Sequence, residues 1–502
     1  MSESNSYRQI LRSSSIIGGA SAINIVIGLV KMKAVALLLG PAGVGLIGLL
    51  TNLVGLVSSV AGLGFGNVGT RQIAEAAGKD DPQRIAAARR ALFWGTLALA
   101  VAGALAVWLL RGVLAAHVLG DPALAPQVGW LSLAVALTVA SASQSALLTG
   151  LRRIGDIARV QVFSAVLATA LGLLALWAWG LAGIVAFVIA APLASFILSQ
   201  MYVARLPRVQ APRSDLAELS AQWRTLARLG VAFMVAGLAG AAGQLVVRTL
   251  VQRALGADAL GQFQAAWMIS MTYIGFVLGA MGTDYYPRLT AIIHDRAAVN
   301  RLVNEQTEVA LLLATPVLLA MLALAPWVIR ILYTAQFAEA AMVLRWQVLG
   351  DFLKIASWPL GFILLAAGAG RTFMLTEWIA MGSFVLFTWI GLPLIGIQAT
   401  GVAFIGLYAV LLPLVYWLAV RRTGFRWQRA VLRHLLLACA AALALVGLAQ
   451  WSAMASAVLG VLLAAVSGVY GLARLGTMAG LGGRLGQVVA RAQSVMNRMG
   501  WK

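Results

Sequence analysis

Long uninterrupted apolar runs, separated by short polar or Gly- and Pro-containing segments, occupy almost the whole chain. A helix needs about 20 apolar residues to cross the roughly 30 Å hydrocarbon core of a bilayer, and fourteen segments meet or approach that length. These segments are 14–39, 43–66, 91–115, 127–149, 158–178, 181–204, 229–253, 259–286, 308–331, 342–366, 373–395, 397–420, 434–451 and 453–473. The period-two alternation of barrel strands is absent. The pattern therefore predicts an all-α polytopic membrane protein with about 14 transmembrane helices, the first of which is retained rather than cleaved as a signal peptide.

Composition supports this class and removes others. Hydrophobic residues make up 61% of the 502 positions, charged residues 11%, and the mean hydropathy is +0.91. Cys439 is the only cysteine, so an intrachain disulfide is excluded. The one Gly-Lys pair, Gly78-Lys79, precedes two aspartates and is no phosphate loop, and the sequence has no H-E-x-x-H or G-x-S-x-G motif. We therefore expect neither an enzyme nor a bound metal or cofactor.

The basic excess, 37 Lys and Arg against 16 acidic residues, carries information about orientation. If the amino terminus is cytoplasmic, most of these cations fall in the segments that face the cytoplasm. The positive-inside rule then predicts that both termini are cytoplasmic, and the charge no longer indicates a nucleic-acid partner. Three of the eight exceptions, Arg111, Arg330 and Arg345, lie near the outer ends of spans, where we expect them to extend to the headgroups.

An internal repeat divides the chain into parallel halves. Three glycine pairs are separated by 216 residues: Gly40 and Gly256, Gly45 and Gly261, and Gly66 and Gly282. A second match pairs Gly150 and Arg153 with Gly368 and Arg371 at an offset of 218. Such repeats are typical of transporters that bind substrate between the halves. The predicted organisation is an N-lobe (1–204, six helices), a cytoplasmic linker (205–228), a C-lobe (229–420, six helices), a final helix pair (421–473) and a basic cytoplasmic tail (474–502).

Four cations lie within the first helices of the two halves: Lys31 and Lys33, and Arg248 and Arg253. A charge near the middle of a bilayer costs between about 3 and 10 kcal/mol, so such residues usually face a polar cavity. One interpretation is a shared cationic cavity, to which Lys354 of the tenth helix also contributes. The alternative is snorkelling, since Lys31 is only about 13 Å of helix from Gly40. The two lysines point about 200° apart, so at most one faces a given cavity directly.

Acidic residues are rare in the predicted spans, and Asp284, Asp351 and Glu377 require an explanation. Asp351 lies three residues before Lys354, a spacing that permits an ion pair within one helix. The three carboxylates either neutralise charge within the bundle or couple the movement of H⁺ or Na⁺ to a conformational change. Both interpretations remain open at the level of sequence.

Four stretches carry a resemblance to a known family: "LLGPAGVGLIGLLTNL" from Leu38, "YYPRLTAIIHDRAAVNRLVNEQTEVALLLATP" from Tyr285, "APWVI" from Ala325 and "LRWQVLGDFLKIASWPLGFILLAAGAG" from Leu344. Through about Arg422, the chain resembles polysaccharide-transporter flippases of the MOP superfamily, specifically the Wzx-type O-antigen translocases. In related flippases a basic residue of the first helix, before the GPAG-like turn, is associated with headgroup binding, and Lys31 occupies that place.

The resemblance implies two lobes around a V-shaped central cavity and a multi-pass location in the bacterial inner membrane. It also implies alternating-access transfer of an undecaprenyl-pyrophosphate-linked oligosaccharide, an O-antigen or exopolysaccharide repeat unit, to the periplasmic leaflet. Implied partners are membrane lipids, H⁺ or Na⁺, and the glycan polymerase and chain-length machinery. Two alternatives remain: a multidrug or organic-cation antiporter of the same superfamily, and a membrane-bound glycan polymerase or ligase. The mainly basic intramembrane charge and the short outer loops favour the flippase over both.

Overall fold

A computed structural model describes residues 3–79, 81–206 and 216–479, and the secondary structure of this part is helical throughout. Short 3₁₀ or π turns join some of the longer helices. The thirteen α-helices are α1 (Glu3–Ala61), α2 (Phe65–Ala77), α3 (Pro82–Leu114), α4 (Ala125–Gly150), α5 (Ile154–Trp179), α6 (Ile184–Ala204), α7 (Leu216–Ala291), α8 (Arg296–Leu332), α9 (Ala340–Ala366), α10 (Gly370–Ile395), α11 (Gln398–Thr423), α12 (Arg429–Trp451) and α13 (Ala453–Ala479).

Ten helical segments of the described residues are long and apolar enough to cross a membrane. Two of them, Gly18–Ala61 with 44 residues and Ile154–Ala204 with 51, are long enough for two crossings each. All fourteen predicted spans lie on helices, although the second runs past the end of α1 at Ala61. The predicted all-α polytopic class is confirmed, whereas the cytoplasmic position of the termini stays a prediction.

Glycine breaks two exceptionally long helices at equivalent places. Gly40 in α1 has φ 63° and ψ −164°, and Gly256 in α7 has φ 84° and ψ −178°. Positive φ costs glycine little because it lacks a Cβ atom, whereas other L-residues clash there. Each glycine therefore breaks its helix at the place where the sequence pattern separates two predicted spans.

The backbone shows that one offset relates the two halves over most of their length. Gly180 and Gly396 share an unusual conformation, with φ 56° and 57° and ψ −130° and −141°. Arg152 (φ 52°) and Gly368 (φ 70°) are the left-handed residues of the turns after α4 and α9. Both pairs are 216 positions apart, like Gly40 and Gly256. The predicted offset of 218 is therefore wrong at this turn, because the backbone pairs Gly150 with Ala366, the last residues of α4 and α9.

The chain forms two compact units. Unit 1 comprises Met1–Gly261 with Leu332–Thr334, and unit 2 comprises Gln262–Ile331 with Ala335–Lys502. Packing thus assigns the first part of α7 to unit 1, and the lobe boundaries derived from the repeat stay a prediction. In unit 1, Phe65, Leu92 and Leu147 belong to a hydrophobic cluster. In unit 2, the rings of Trp267, Phe384 and Phe404 pack with centroids 5.7–6.1 Å apart.

Two repeat glycines of unit 1 contact each other across a helix crossing. A Cβ atom on Gly45 would lie 2.6 Å from the Gly261 nitrogen, and one on Gly261 would lie 2.0 Å from the Pro41 carbonyl oxygen. Only glycine permits backbones to approach this closely. The "GPAGVG" turn and its repeat counterpart are therefore packed against one another inside unit 1.

Candidate functional site

Lys31 lies half-buried on α1, within a membrane-spanning stretch. Its Nζ atom is 5.9 Å from the ring centroid of Phe187 on α6, which is near the outer limit of a cation–π interaction. Such a contact offsets only part of the cost of removing an ammonium group from water. Lys31 is thus a partly desolvated cation in unit 1.

Arg248 is the more deeply buried of the predicted cations, with 3% of its surface exposed. Its Nη1 atom donates to both the backbone oxygen and Oε1 of Gln244, each at 3.2 Å. Gln252 follows one turn later, so Gln244, Arg248 and Gln252 lie along one face of α7. This face provides a positive charge among neutral amides in the first part of α7.

Lys33 and Arg253 have different surroundings from Lys31 and Arg248. The Lys33 ammonium donates to the backbone carbonyl of Tyr333, in the short segment of unit 1 that follows α8. Arg253 is exposed, and its Cγ atom lies beside Gly120. Lys33 is thus hydrogen-bonded to a backbone oxygen, and Arg253 lies at the surface of unit 1.

The repeat register also changes how the cations relate to one another. At the offset of 216 residues, Arg248 corresponds to Met32 rather than to Lys31 or Lys33. One residue is about 100° around a helix, so the cations are not repeat-equivalent. Lys31 and Arg248 moreover belong to the same compact unit. The two halves therefore do not supply these cations at matched places of the repeat, and the part of each residue in substrate binding stays a prediction.

A second charged cluster lies wholly within unit 2 and centres on Asp351 of α9. Asp351 is fully buried, and its Oδ2 atom accepts a 2.8 Å hydrogen bond from the Ser270 hydroxyl of α7. Its Oδ1 atom has no hydrogen-bond partner among the described residues. A carboxylate in this position is costly unless a cation compensates it.

Lys354, one turn after Asp351, interacts electrostatically with Asp351 and with Glu377 of α10. Its Nζ atom lies 3.4 Å from the Met271 sulfur and about 6 Å from the rings of Phe404 and Tyr408. The ammonium thus lies between a thioether sulfur and two aromatic rings, and two carboxylates on α9 and α10 act on it electrostatically. Asp351 and Lys354 thus influence each other electrostatically, as does Glu377 on another helix, but no direct ion pair joins Asp351 to Lys354 among the described residues.

Gln347 is a member of this cluster that the sequence interpretation missed. It is fully buried one turn before Asp351, and neither of its amide atoms has a hydrogen-bond partner among the described residues. Gln347, Asp351 and Lys354 are spaced at four and three residues, so they share one face of α9. The spacing of three polar residues in an otherwise apolar helix could have identified Gln347 from the sequence. The contact between Ser270 and Asp351 could be found only from the folded structure.

The other predicted features have separate outcomes. The side chain of Asp284 and the tail from 480 onward lie outside the described residues. Arg345 does not extend to the headgroups as expected, because it is only 4% exposed and its Nε atom donates to the Leu322 carbonyl at 3.2 Å. Arg111 stacks on Trp108, with 4.4 Å between the guanidinium carbon and the ring centroid, and its extension to the headgroups stays a prediction. The described residues contain no cluster of three His, Cys, Asp or Glu side chains suited to a metal ion.

The all-helical fold, the 216-residue repeat and the charged groups on long apolar helices define an all-α polytopic membrane protein built from two repeated halves. A solved lipid II flippase, MurJ, in an inward closed conformation has a TM-score of 0.70 at 12% identity, covering 92% of this chain and all of that one. A multidrug resistance MATE family transporter of the MOP superfamily, solved facing inward, has a TM-score of 0.65 at 17% identity, covering 80% and 94%. At these levels of identity, the two similarities show a shared fold only.

The family model described as polysaccharide biosynthesis protein matches residues 10–293, more than half of the chain. The chain therefore belongs to this family. The lipid III flippase of Escherichia coli (strain K12) is 22% identical over 399 residues, which are 78% of this chain and 93% of that protein. The flippase of the same name from Shigella flexneri matches equally.

Proposed function

We propose that this protein is a flippase for a lipid-linked oligosaccharide. Its substrate is an undecaprenyl-pyrophosphate-linked O-antigen or exopolysaccharide repeat unit, which moves from the cytoplasmic to the periplasmic leaflet of a bacterial inner membrane by alternating access. Membership of the polysaccharide biosynthesis protein family and the similarity to lipid III flippase support the substrate class. Glycan polymerase and chain-length machinery are the partners that such a product requires.

The buried Arg248, together with Lys31, is the observation that carries this proposal. A pyrophosphate headgroup must lose hydration to cross the hydrocarbon core, and fixed cations replace the lost interactions. Arg248 offers a planar guanidinium that can bind two phosphate oxygens at once, whereas Lys31 acts as a compact point charge. An organic-cation antiporter would place negative or aromatic groups at these positions instead.

The cluster around Asp351 supports coupling of this transport to an ion gradient. Two carboxylates, Asp351 and Glu377, stand against one ammonium, Lys354, so the fully ionised cluster carries one excess negative charge. Binding of one H⁺ or Na⁺ would neutralise this excess, and burial makes neutralisation favourable. We therefore assign Lys354 to the coupling cluster of unit 2 rather than to headgroup binding.

Complementation in cells that lack their own flippase tests the proposal. The wild-type protein, expressed at normal level, is expected to restore surface glycan, and Lys31→Gln and Arg248→Gln are expected to reduce it about ten-fold. A charge-assisted hydrogen bond contributes about 1.5–3 kcal/mol, which corresponds to at least that factor. Arg111→Gln, which removes a cation stacked on Trp108 near an outer helix end, serves as the control with full export.

The outcomes separate the candidate functions. Full glycan export by both Lys31→Gln and Arg248→Gln would remove the part assigned to these residues in headgroup binding. Resistance to organic cations, without restored glycan, would instead identify a multidrug antiporter. Glycan chains lengthened by the purified protein alone would identify a polymerase.

A further inference from the structure

Unit 2 contains an apolar groove that takes no part in the charged clusters described above. It lies between α8, α12 and α13 and has a volume of about 480 Å³. Its walls include Leu311, Leu319, Leu437, Ala441, Leu463 and Val466. Ligand pockets in proteins commonly occupy about 300–1,000 Å³, so the groove is large enough for a small ligand or one lipid chain.

A polar cluster adjoins one end of the groove. Glu308 of α8 is 3% exposed, and its Oε1 atom lies 3.2 Å from Arg474 Nε and 3.9 Å from His434 Nδ1. His434 Nε2 is 2.7 Å from the hydroxyl of Tyr470. The cluster connects α8, α12 and α13, and Arg474 compensates the buried carboxylate.

Arg433 adds a further positive charge to this end. It is exposed, it lines the groove, and no described carboxylate lies within ion-pair distance of its guanidinium. Arg429 stands one turn earlier on the same side of α12, whose amino-terminal end contributes a partial positive charge. Since Arg474 already compensates Glu308, the polar end of the groove is positively charged overall.

The shape and charge of the groove specify its ligand. Residues 433–441 of α12 cover about 12 Å, so the apolar part extends from a cationic end well into the depth of a membrane-spanning helix. An acyl chain is the elongated apolar group that a bilayer supplies in abundance, and a negatively charged headgroup complements Arg433 and Arg429. We propose that this groove binds an anionic phospholipid, with its phosphate at Arg433 and one acyl chain between α8, α12 and α13.

The proposed lipid site shares no residue with Lys31, Arg248 or the Asp351 cluster. Lipid binding can therefore be measured on the full-length purified protein without transport. If the protein does not bind the phospholipid, the proposed flippase function still stands. If the protein is not a flippase, the proposed lipid site still stands.

Native mass spectrometry after exchange with mixed vesicles tests this site. The vesicles contain equal amounts of phosphatidylglycerol and phosphatidylcholine with the same acyl chains, so only the headgroup charge differs. The wild-type protein is expected to retain phosphatidylglycerol preferentially. Arg433→Gln is expected to reduce this retention about five-fold, and Arg433→Lys to preserve most of it, because one cation near an anionic lipid contributes about that factor.

Ala441→Phe tests the apolar part of the groove. Ala441 lines the cavity, so a benzyl group there displaces acyl methylenes and is expected to reduce retention of phosphatidylglycerol about ten-fold. Ala440→Phe places the same group at the exposed neighbouring position, and Arg371→Gln removes an exposed cation at the start of α10. Both control variants are expected to behave as wild type.

Three results would overturn the proposal. These are equal retention of the two phospholipids, wild-type retention by Arg433→Gln, and displacement of bound phosphatidylglycerol by an equimolar amount of undecaprenyl phosphate. The thermal unfolding midpoint of each variant shows whether it is folded. If Ala441→Phe fails to fold, Arg433→Gln and Arg433→Lys decide the question alone.

Discussion

At the scale of single residues, the cost of burying charge determines the chemistry of this protein. Asp351 has no exposed surface, and its compensation comes from Lys354 one turn away and from the Ser270 hydroxyl. Removing one partner of a buried ion pair typically costs about 3–5 kcal/mol, because the remaining charge is left uncompensated. The cluster should therefore respond to substitution as a unit.

We expect Lys354→Met to lower the thermal unfolding midpoint of the purified protein markedly, and Asp351→Asn to restore part of that loss when both are present. The double variant removes opposite charges together and leaves less uncompensated charge than either single change. A double-mutant cycle on thermal unfolding in detergent measures the coupling. Additive effects of the two substitutions would show that these side chains do not interact.

The same cluster predicts how transport responds to ions. In proteoliposomes that carry a lipid-linked oligosaccharide, an imposed H⁺ or Na⁺ gradient is expected to accelerate transfer by the wild-type protein. Asp351→Asn is expected to abolish this acceleration while slow transfer without a gradient persists, because the excess negative charge of the cluster is gone. An undiminished response to the gradient in Asp351→Asn would place coupling elsewhere.

Residue-level prediction from sequence succeeded where local spacing carried the signal. Asp351 and Lys354 lie one helical turn apart, and that distance alone suggested their pairing. Ser270 precedes Asp351 by 81 positions, and only the packing of α7 against α9 connects them. Arg345 was assigned wrongly because its place near a span end does not reveal that α9 turns it toward α8.

At the scale of elements, glycine determines where helices break and where they cross. Gly40 and Gly256 break α1 and α7, and Gly45 and Gly261 allow the two repeat turns to touch. Apolar length was sufficient to place all fourteen predicted spans on helices, because each one must cover the same hydrocarbon thickness. Matching residue types could not give the correct repeat offset near Gly150. The left-handed position of that turn is occupied by Arg152 in the first half and by Gly368 in the second.

We expect Gly261→Ala to destabilise the protein by about 1–3 kcal/mol, because the added methyl group would overlap the Pro41 carbonyl oxygen. Gly275→Ala is the matched control on α7, since its Cβ atom would meet no atom within 4 Å. That substitution is expected to be neutral or slightly stabilising. Thermal unfolding of the two variants in the same detergent makes the comparison. Equal midpoints would contradict the close helix crossing.

The left-handed turn positions give a second test at this scale. Gly368→Ala is expected to cost about 1–2 kcal/mol, because its φ of 70° disfavours a Cβ atom. Arg152→Gly removes the same penalty at the equivalent turn and is expected to raise stability. Opposite signs of the two shifts in unfolding midpoint would support the common register of the halves, and a loss of stability in both variants would argue against it.

At the scale of the whole molecule, we interpret the charge of +21 as a signal of orientation in the membrane. The segments between alternate spans carry the basic residues, which predicts that both termini face the cytoplasm. The overall helical class follows from composition and apolar length alone, but the side of the membrane on which each loop lies requires a direct measurement.

Cysteine labelling provides that measurement. After Cys439→Ala, Arg153→Cys between α4 and α5 is expected to resist a membrane-impermeant maleimide applied to intact spheroplasts. Ala123→Cys, in the turn before α4, is expected to react. Permeabilised cells provide the control, since both positions should then be labelled. Labelling of Arg153→Cys from outside would reverse the orientation.

The central claim is that the half-buried Lys31 of α1 and the buried Arg248 of α7 bind the pyrophosphate headgroup of a lipid-linked glycan. Its most direct test is the equilibrium affinity of the purified protein for an undecaprenyl-pyrophosphate-linked oligosaccharide, compared among wild type, Lys31→Gln, Arg248→Gln and the Arg111→Gln control. The account predicts that each of the first two variants binds about ten-fold more weakly while the control binds as wild type. Affinity unchanged in both Lys31→Gln and Arg248→Gln would contradict it.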